Sequence, residues 1–494
     1  MSTAVNHPMI IGSTRVAEGS GVIRVENPYT RDIWAEVPRA TVDQVDDAVA
    51  AARNAFTSGP WASASPARRA SFLRDLAGIV EEHVEELTRL QVQENGKAIR
   101  EQYAQTSGLA SYLHYFAGLA ENIRGETIPS SASTSLCFTT REPLGVVAAL
   151  TPWNSPLSLL VWKLAPALAA GNTVVVKPSE ISPVSTIRLV ELALEAGLPS
   201  GVINVVTGLG DVGAALTHHH DVDKVAFTGS TAVGKEVGKA AIDHMARFTL
   251  ELGGKSANIV FADADLDRAV DGVIGGIFAA AGQSCIAGSR VLVQKERYDE
   301  VAERLVERAA AIRLGDPLDW ETEVGTIACT AQHDKVVAYV DIATAEGATL
   351  LAGGGPADDP ALAGGLFFRP TIFGDVTSEM RIAKEEVFGP VVCLQRFDDE
   401  DDAVSVAHDT RFGLAAGVWT SDLGRGLRMS QRLRCGTVWV NTYRRLNYTL
   451  PFGGFGDSGI GRENGHDAID EYTELKSVWI ETSSEASDPF NPMR

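Results

Sequence analysis

Cysteine is scarce in this chain, which has five in 494 residues. A sparse, odd set of this kind argues against a disulfide framework and indicates a reducing compartment, so we expect a cytoplasmic protein. Long apolar runs are missing too, and the segment from Met1 to Ile11 lacks a basic stretch followed by an apolar core. We therefore predict no membrane span, no signal peptide and no membrane partner.

Positive charge is also in deficit, since 43 Lys and Arg face 64 Asp and Glu and the net charge is −21. This balance argues against nucleic acid or an anionic membrane as a partner, because both would be repelled. The ten histidines and five cysteines show no H-x3-H or C-x2-C spacing, so we predict no metal site. A G-x-S-x-G hydrolase motif and a Walker-type lysine loop are both absent.

What the chain does have is length and an alternation of strands with helices. At 494 residues it is too long for one hydrophobic core, so two or three domains are expected. The predicted strands run from Val146 to Leu150, Thr173 to Val176, Val202 to Val206, Val225 to Phe227 and Phe248 to Leu250. Helical stretches separate them, such as Pro183 to Ala196, for which Ser182 is the predicted cap. This pattern predicts a buried parallel sheet whose ligands bind beyond the carboxyl ends of its strands.

Two residues suit covalent catalysis. Glu251 ends one predicted strand, and Cys285 follows Gly282 in a loop. A thiolate can attack an electrophilic carbon, and a nearby carboxylate can then activate the water that releases the product. Taken alone, Cys285 is better explained as an inert buried thiol, as most free cysteines are. The other motifs favour catalysis, and we expect both side chains to open onto one cavity.

Polar side chains also follow other strands. Asn154 lies on a proline-bounded turn, where its amide can donate to a developing oxyanion or to its own backbone. Lys177 and Glu180 follow the next strand and can hold a ribose or form a solvated pair. Glu386 and Phe388 lie two residues apart before a turn, which predicts a strand-like pair pointing the same way.

Two glycine motifs are candidates for binding a phosphate. Gly208 to Gly213 matches G-x-G-x-x-G, but the ribose-binding acid expected about twenty residues later is missing. We therefore predict only a tight turn there, near the adenine. Gly229 to Gly234 opens a helix with small residues, so its backbone N–H groups can face an anion.

Seven segments occur in the same order as in the aldehyde dehydrogenase superfamily, and their spacing is similar. They are Pro152 to Asn154, Lys177 to Glu180, Phe227 to Gly234, Glu251 to Lys255, Gly282 to Cys285, Glu385 to Pro390 and Pro451 to Gly454. The chain thus resembles this superfamily over nearly its whole length.

The resemblance implies an α/β fold in three parts. These are a discontinuous, Rossmann-like NAD-binding domain (residues 1–125 and 143–255), an α/β catalytic domain (256–457), and a β-arm for oligomerisation with the C-terminal tail (126–142 and 470–494). The arm would combine roughly Ile128 to Arg141 with a strand near Ser477 to Glu481. A homotetramer or a homodimer is implied.

The resemblance also assigns catalytic roles. Cys285 would attack an aldehyde to give a thiohemiacetal, whose oxyanion Asn154 and the Cys285 backbone N–H would hold. Hydride transfer to the nicotinamide would leave a thioester, and Glu251 would activate the water that hydrolyses it. Lys163 and Glu463 resemble the family's proton relay.

The cofactor implied is NAD, with NADP as the alternative. Lys177 and Glu180 would hold the adenosine ribose, Ser230 the pyrophosphate, and Glu386 and Phe388 the nicotinamide half. The other residues expected at the cofactor are Thr151, Pro152, Trp153, Ser179, Gly210, Gly213, Phe227, Thr228, Gly229, Val233, Leu252 and Gly253. The Glu180 carboxylate favours NAD because it would repel a 2′-phosphate, an effect that the nearby Lys177 offsets in part.

The substrate tunnel implied by the resemblance departs from the family's usual pattern. Its expected lining is Ser155, Leu159, Trp162, Ser284, Ile286, Leu446 and Phe452. Ser155 and Leu446 stand where relatives often carry aromatic residues, so we expect a wider or more polar tunnel. Arg444 or Arg445 could reach a substrate carboxylate, but a solvated pair is the favoured interpretation.

Three rival functions remain to be weighed. A CoA-acylating relative would replace hydrolysis by thiolysis, and Glu251 argues against it because water needs a base and a thiol does not. A catalytically silent nucleotide-binding homologue would have no use for Cys285, Glu251 and Asn154 together. A Cys–His hydrolase would need a His in a matching motif, and none is present.

Overall fold

The structure is a computed structural model that describes residues 4–131, 133–484 and 490. The strands are β1 (Val5–Asn6), β2 (Met9–Ile11), β3 (Thr14–Val16), β4 (Gly21–Glu26), β5 (Ile33–Arg39), β6 (Thr127–Ile128), β7 (Ser135–Pro143), β8 (Val146–Leu150), β9 (Thr173–Lys177), β10 (Ile203–Val205), β11 (Lys224–Thr228), β12 (Arg247–Glu251), β13 (Ala257–Val260), β14 (Arg290–Gln294), β15 (Thr349–Ala352), β16 (Thr371–Gly374), β17 (Val391–Phe397), β18 (Phe412–Gly413), β19 (Ala415–Trp419), β20 (Thr437–Val440), β21 (Phe455–Gly456), β22 (Gly459–Ile460) and β23 (Thr473–Glu481). The helices are α1 (Val42–Ser58), α2 (Pro66–Glu82), α3 (Val84–Asn95), α4 (Ile99–Ala120), α5 (Pro156–Ala170), α6 (Val184–Glu195), α7 (Gly210–Thr217), α8 (Thr231–Asp243), α9 (Leu266–Phe278), α10 (Tyr298–Ala310), α11 (Thr330–Ala345), α12 (Arg381–Lys384), α13 (Glu400–His408) and α14 (Leu423–Arg432). No helix of the described residues combines the length and the apolar character that crossing a bilayer requires.

The parallel sheet predicted after Gly145 is confirmed. Strands β8 to β12 pair in parallel within a sheet of order β22-β12-β11-β8-β9-β10-β2-β3, and each lies within two residues of its predicted bounds. Strands β22 and β2 extend this sheet in the antiparallel sense. Nearly all side chains of β8 to β12 are buried because helices cover both faces, which explains the continuous apolar runs.

Helix α6 begins at Val184, but the Ser182 cap was wrongly predicted. The Glu94 carboxylate at the end of α3 accepts hydrogen bonds from the Val184 N–H, the Ser185 N–H (3.1 Å) and the Ser185 hydroxyl (2.5 Å). The Ser182 hydroxyl is buried and has no hydrogen-bond partner in the described part of the chain. The prediction failed because the acceptor lies 90 residues earlier, beyond any local pattern.

Two of the four remaining sheets in the described residues bear on the site and on the predicted arm. A second α/β sheet has the order β15-β16-β17-β14-β13-β19-β20, with only β15 antiparallel to its neighbour. A third, the arm sheet, is antiparallel and has the order β23-β7-β6. Of the predicted segments, residues 1–3, 132, 485–489 and 491–494 lie outside the described residues.

Candidate active site

The backbone before Cys285 is held in an uncommon conformation. Ala280, Ala281 and Gly282 have φ values of 55°, 51° and 70°, which alanine rarely adopts. The Ala280 N–H donates to the Glu101 carboxylate at 2.7 Å, and a Cβ on Gly282 would lie 1.9 Å from the Gly389 carbonyl oxygen. Strain of this kind is characteristic of functional sites, and here it fixes the loop that carries the thiol.

Cys285 lines a cavity of about 880 Å³. Asn154 lines it too, as do the seven residues predicted for the tunnel: Ser155, Leu159, Trp162, Ser284, Ile286, Leu446 and Phe452. Aromatic rings pack along one side, where Trp162 contacts Tyr112 (centroids 5.8 Å apart) and Phe452 (5.2 Å). The cavity therefore offers the thiol a largely apolar chamber that can hold a small organic substrate.

The environment of Cys285 keeps the thiol protonated at neutral pH. Burial, together with the carboxylates of Glu251 and Glu386, raises its pKa to about 12. The Ile286 backbone N–H and the Arg444 guanidinium act in the opposite direction. A base or a bound ligand must therefore help to form the thiolate.

Asn154 lies beside the nucleophile loop on the buried turn between β8 and α5. Its Nδ2 donates to the Gln283 carbonyl oxygen at 3.0 Å. An amide nitrogen carries two hydrogens, so one donor is used here and one can serve the cavity.

Glu251 lies at the end of β12 and is 4% exposed. Glu251 does not line the cavity around Cys285, so the expectation that both side chains open onto one cavity was wrong. Burial raises the pKa of Glu251 well above its ordinary value, Glu463 adds to that shift, and Lys163 opposes it. Its two carboxylate oxygens have no hydrogen-bond partner among the described residues. Leaving a buried carboxyl group unsatisfied is costly, which suits a base that must remain available.

Lys163 and Glu463 form a fully buried ion pair near Glu251. The Lys163 ammonium, on α5, also donates to the Thr228 hydroxyl at 2.6 Å. The residues predicted for a proton relay are therefore brought together at the ends of β11 and β12.

The residues predicted for the adenosine end are adjacent as well. Lys177 and Glu180 approach to 3.6 Å, with Lys177 buried and Glu180 exposed. Burial lowers the pKa of Lys177, which Glu180 partly restores. The Thr151 N–H donates to the Lys177 carbonyl oxygen at 3.2 Å. Gly213 lies next to the Lys177 side chain, because a Cβ added to Gly213 would lie 3.8 Å from the Lys177 Cδ. The Ser179 hydroxyl accepts from the Ile181 N–H at 3.3 Å and so shapes the local turn.

The predicted pyrophosphate segment begins helix α8. Ser230 is its cap and accepts from the Val233 N–H at 3.4 Å. A cavity of about 650 Å³ joins this helix start to Glu386 and is also lined by the cations Lys335, Lys384 and Arg411. A Cβ on Gly229 would lie 2.5 Å from the Phe227 ring, so only glycine fits there. The segment can therefore hold an anionic cofactor group.

Gly253 and Gly254 lie between Glu386 and the nucleophile. Glu386 accepts from the Gly254 N–H at 2.9 Å, and a Cβ on Gly253 would lie 2.4 Å from the Glu386 carboxylate. A Cβ on Gly254 would lie 2.5 Å from the Cys285 carbonyl oxygen. Neighbouring Leu252, in turn, packs against Gly234 of α8. These glycines bring the predicted nicotinamide residues next to the thiol loop.

The strand-like pair of Glu386 and Phe388 was wrongly predicted. No strand covers these residues, and Phe388 has a φ of 60°, so side chains do not alternate there. The Phe388 ring instead packs edge-on against Trp153, with centroids 5.4 Å apart. Pro152 precedes Trp153 and is half-buried.

The solvated arginine pair was wrong for Arg444. Its side chain lines the catalytic cavity and pairs with Glu101 at 3.0 Å, while its backbone has a φ of 58°. Arg445 is exposed and does not line the cavity. Because the backbone of Arg444 is in the left-handed region, the side chains of Arg444 and Arg445 point in different directions, which the sequence alone could not show.

Comparison with known proteins agrees with this geometry. The profile of the aldehyde dehydrogenase family matches residues 16–478. The chain belongs to the aldehyde dehydrogenase family. It is 45% identical over 454 residues to an aldehyde dehydrogenase from Aspergillus niger, covering 92% of this chain and 90% of that protein. It is 43% identical to an NADP/NAD-dependent aldehyde dehydrogenase from Escherichia coli (strain K12), covering 97% of each. The structure of an aldehyde dehydrogenase from Bacillus cereus in complex with NAD+ matches with a TM-score of 0.94 at 43% identity, over 97% of both chains.

Membership of the aldehyde dehydrogenase family confirms the predicted α/β fold and makes the chain an oxidoreductase of the aldehyde group.

The sequence interpretation missed the residues that line the cavity from helix α4. Glu101 and Gln105 contact the nucleophile loop and Ser155, respectively, and Lys97, just before α4, contacts Ser155 as well. Their i, i+4 spacing was the one available signal, but it is equally typical of an exposed helix face.

Proposed function

We propose that this chain oxidises an aldehyde to a carboxylic acid with NAD. The Cys285 thiol loses its proton to solvent, and the thiolate attacks the carbonyl carbon. The Asn154 amide with the Cys285 backbone N–H stabilises the oxyanion of the thiohemiacetal. Bound NAD supplies a hydride acceptor, and the loss of hydride leaves a thioester on Cys285. Glu251 activates the water that hydrolyses it, with Lys163 and Glu463 carrying the proton away.

The observation that carries the proposal is the convergence of two cavities on one loop. The thiol of Cys285 lines the apolar chamber, while Gly254 lies against the Cys285 carbonyl and donates to Glu386, which lines the cavity at the start of α8. An aldehyde held in the first and a nicotinamide held in the second would meet at the sulfur.

Hydrolysis, not acyl transfer to CoA, is favoured by the state of Glu251. A buried carboxyl whose pKa is raised above its ordinary value is a stronger base than an exposed one, which suits it to accept a proton from water. A thiol acceptor would need no such base.

NAD is favoured over NADP by the ion pair at the adenosine end. Lys177 is 3.6 Å from Glu180, so its charge is already engaged, and the exposed Glu180 carboxylate would repel a 2′-phosphate. We expect kcat/KM for NAD to exceed that for NADP.

The assembly proposed is a homodimer or homotetramer formed through the arm sheet, in a cytoplasmic setting. The domains proposed are residues 1–125 with 143–255 for NAD, 256–457 for catalysis, and 126–142 with 470–494 for assembly. The five cysteines are all unpaired thiols, which fits a reducing compartment.

The experiment that tests the proposal follows NADH absorbance with a panel of aliphatic, aromatic and carboxylated aldehydes in the absence of CoA. We expect turnover with NAD, a carboxylic acid as the product, and none of this activity in Cys285→Ala. Turnover that requires CoA would establish the acylating alternative, and no turnover with any aldehyde would favour the silent homologue.

A further inference from the structure

One wall of the catalytic cavity is polar, although much of the remaining lining is apolar. We call it the polar wall: Glu101, Gln105, Ser155 and Arg444, which line the cavity, with Lys97 behind them. It faces the same chamber as Cys285.

Ser155 of the polar wall does not make the hydrogen bond that its position at a helix start would predict. It is the N-terminal cap residue of α5, yet its hydroxyl does not cap the helix. It accepts from the Lys97 ammonium at 2.9 Å and donates to the Gln105 side-chain oxygen at 3.3 Å. A hydroxyl polarised by an ammonium is a strong donor, and its hydrogen can turn from Gln105 to a bound acceptor.

The polar wall also carries an unbalanced positive charge. Glu101 is fully engaged, because it accepts from Arg444 (3.0 Å), Gln105 (3.3 Å) and the Ala280 N–H (2.7 Å). Lys97 is buried and forms no ion pair within residues 4–131, 133–484 and 490. Burial lowers the pKa of Lys97 to about 8, so it remains mainly charged at neutral pH. Two cations therefore face one carboxylate.

The mouth of the cavity also carries an excess of positive charge. Arg100 is exposed there and lines the cavity without an ion pair in the described part of the chain. The acidic residues at the rim already face arginines, since Asp271 lies 3.4 Å from Arg308 and Glu323 lies 4.0 Å from Arg313. In a chain of net charge −21, this local excess would draw an anion towards the thiol.

We propose that the polar wall binds a carboxylate on the aldehyde substrate, through the Ser155 hydroxyl and the Arg444 guanidinium, so that the substrates are oxo carboxylates. Lys97 acts as a positioning residue that polarises Ser155 and supplies the uncompensated charge. This inference rests on the proposed aldehyde oxidation and names its substrate class.

The test compares kcat and KM for 4-oxobutanoate, 5-oxopentanoate and 6-oxohexanoate with those for butanal, pentanal and hexanal. Wild type should favour the best oxo carboxylate over the neutral aldehyde of equal length by about tenfold in kcat/KM, as expected for one charged hydrogen bond. Ser155→Ala and Lys97→Met should remove most of that preference by raising KM for the oxo carboxylate. Each variant is judged by the ratio of kcat/KM between the two substrate classes, because a general loss of activity leaves that ratio unchanged. Arg445→Ala, which alters the exposed neighbour of Arg444, should leave the preference unchanged.

The outcomes separate this inference from the function on which it rests. NADH from neither class of aldehyde contradicts the proposed function and the inference together. Turnover with an equal or better kcat/KM for the neutral aldehydes leaves aldehyde oxidation standing and overturns the polar wall's role. An equal loss on both substrate classes in Lys97→Met would mean that Lys97 is merely structural.

Discussion

The proposed role of Asn154 in stabilising the oxyanion can be tested by removing its side-chain amide. Its Nδ2 already donates to Gln283, so the side chain is held in place before a substrate arrives. Removing one such donor from an oxyanion site costs about 3 kcal/mol, so Asn154→Ala should lower kcat roughly a hundredfold. Asn122→Ala, an exposed asparagine on the C-terminal side of α4, is the matched control. Unchanged steady-state turnover in Asn154→Ala would remove this residue from the mechanism.

Cys285 provides a prediction about pH. Burial and two carboxylates raise its pKa to about 12, so the thiolate fraction of the free enzyme should rise about tenfold per pH unit from roughly pH 7 to 9. The rate of Cys285 alkylation by iodoacetamide should rise in parallel, with Cys285→Ala used to subtract the other thiols. A rate that levels off below about pH 8 would show a lowered pKa and contradict this description.

Single residues were predicted where the resemblance to aldehyde dehydrogenases supplied them, and they were missed where the backbone geometry of this chain decided their position. The seven tunnel residues all line one cavity with Cys285 and Asn154. Arg444 and Phe388 were misjudged because both have positive φ, which residues other than glycine seldom show. Lys97 was missed because its contact with Ser155 spans 58 residues and follows from no local pattern.

At the scale of elements, the strands were the most predictable part. Strands β8 to β12 are buried on both faces, so their apolar runs stood out from the flanking helices. Helix ends were less predictable when the capping group came from elsewhere. Glu94 of α3 caps α6, and neither helix carries a sign of the other.

The Glu94 cap predicts a stability effect. Glu94→Ala would leave two buried backbone N–H groups and the Ser185 hydroxyl without their acceptor, at a cost of about 3 kcal/mol or more. The thermal unfolding midpoint, measured by calorimetry, should fall by about 5 °C. Glu94→Gln keeps an oxygen acceptor and should lose less, and an equal loss in both variants would contradict the capping role.

The same carboxyl predicts how these variants respond to pH. Burial raises the Glu94 pKa to about 8, above its ordinary value of 4.5, so the folded protein favours the protonated form. Its contribution to stability is full below about pH 4.5 and is lost as the pH rises towards 8. Glutamine resembles the protonated form of Glu94. The thermal unfolding midpoint of Glu94→Gln should therefore rise relative to that of wild type between about pH 5 and 8. A difference that stays constant over this range would contradict the shift.

At the scale of the whole molecule, large apolar side chains are exposed around the arm sheet. Met245 is 82% exposed, Trp479 69%, and Leu475 and Ile242 each 54%. Leu475, Ile242 and Met245 border a shared groove, and such a patch is typical of an interface between subunits. Leu475→Asp combined with Trp479→Asp should therefore reduce the mass measured by light scattering to that of one chain. Leu423→Asp changes a leucine of α14 that is also exposed (77%), and it should leave the measured mass unchanged. A monomeric wild type would contradict the proposed assembly.

The overall path of the chain could be predicted only in part from residue patterns. The alternation after Gly145 indicated the parallel sheet, because such connections follow one another along the chain. The return of β22 to pair with β12, and of β23 to pair with β7, joins segments more than 200 residues apart. Only the resemblance to aldehyde dehydrogenases gave any expectation of the arm, since periodicity carries no information about partners at that distance.

The central claim is a thioester on Cys285 that Glu251 helps water to release. Glu251→Gln tests it most directly, because the amide fills the same space but cannot accept the proton. Mixed rapidly with aldehyde and NAD, the variant should form one equivalent of NADH per active site and then turn over at least about a hundredfold more slowly than wild type. Full steady-state turnover in Glu251→Gln, with no burst, would contradict the account.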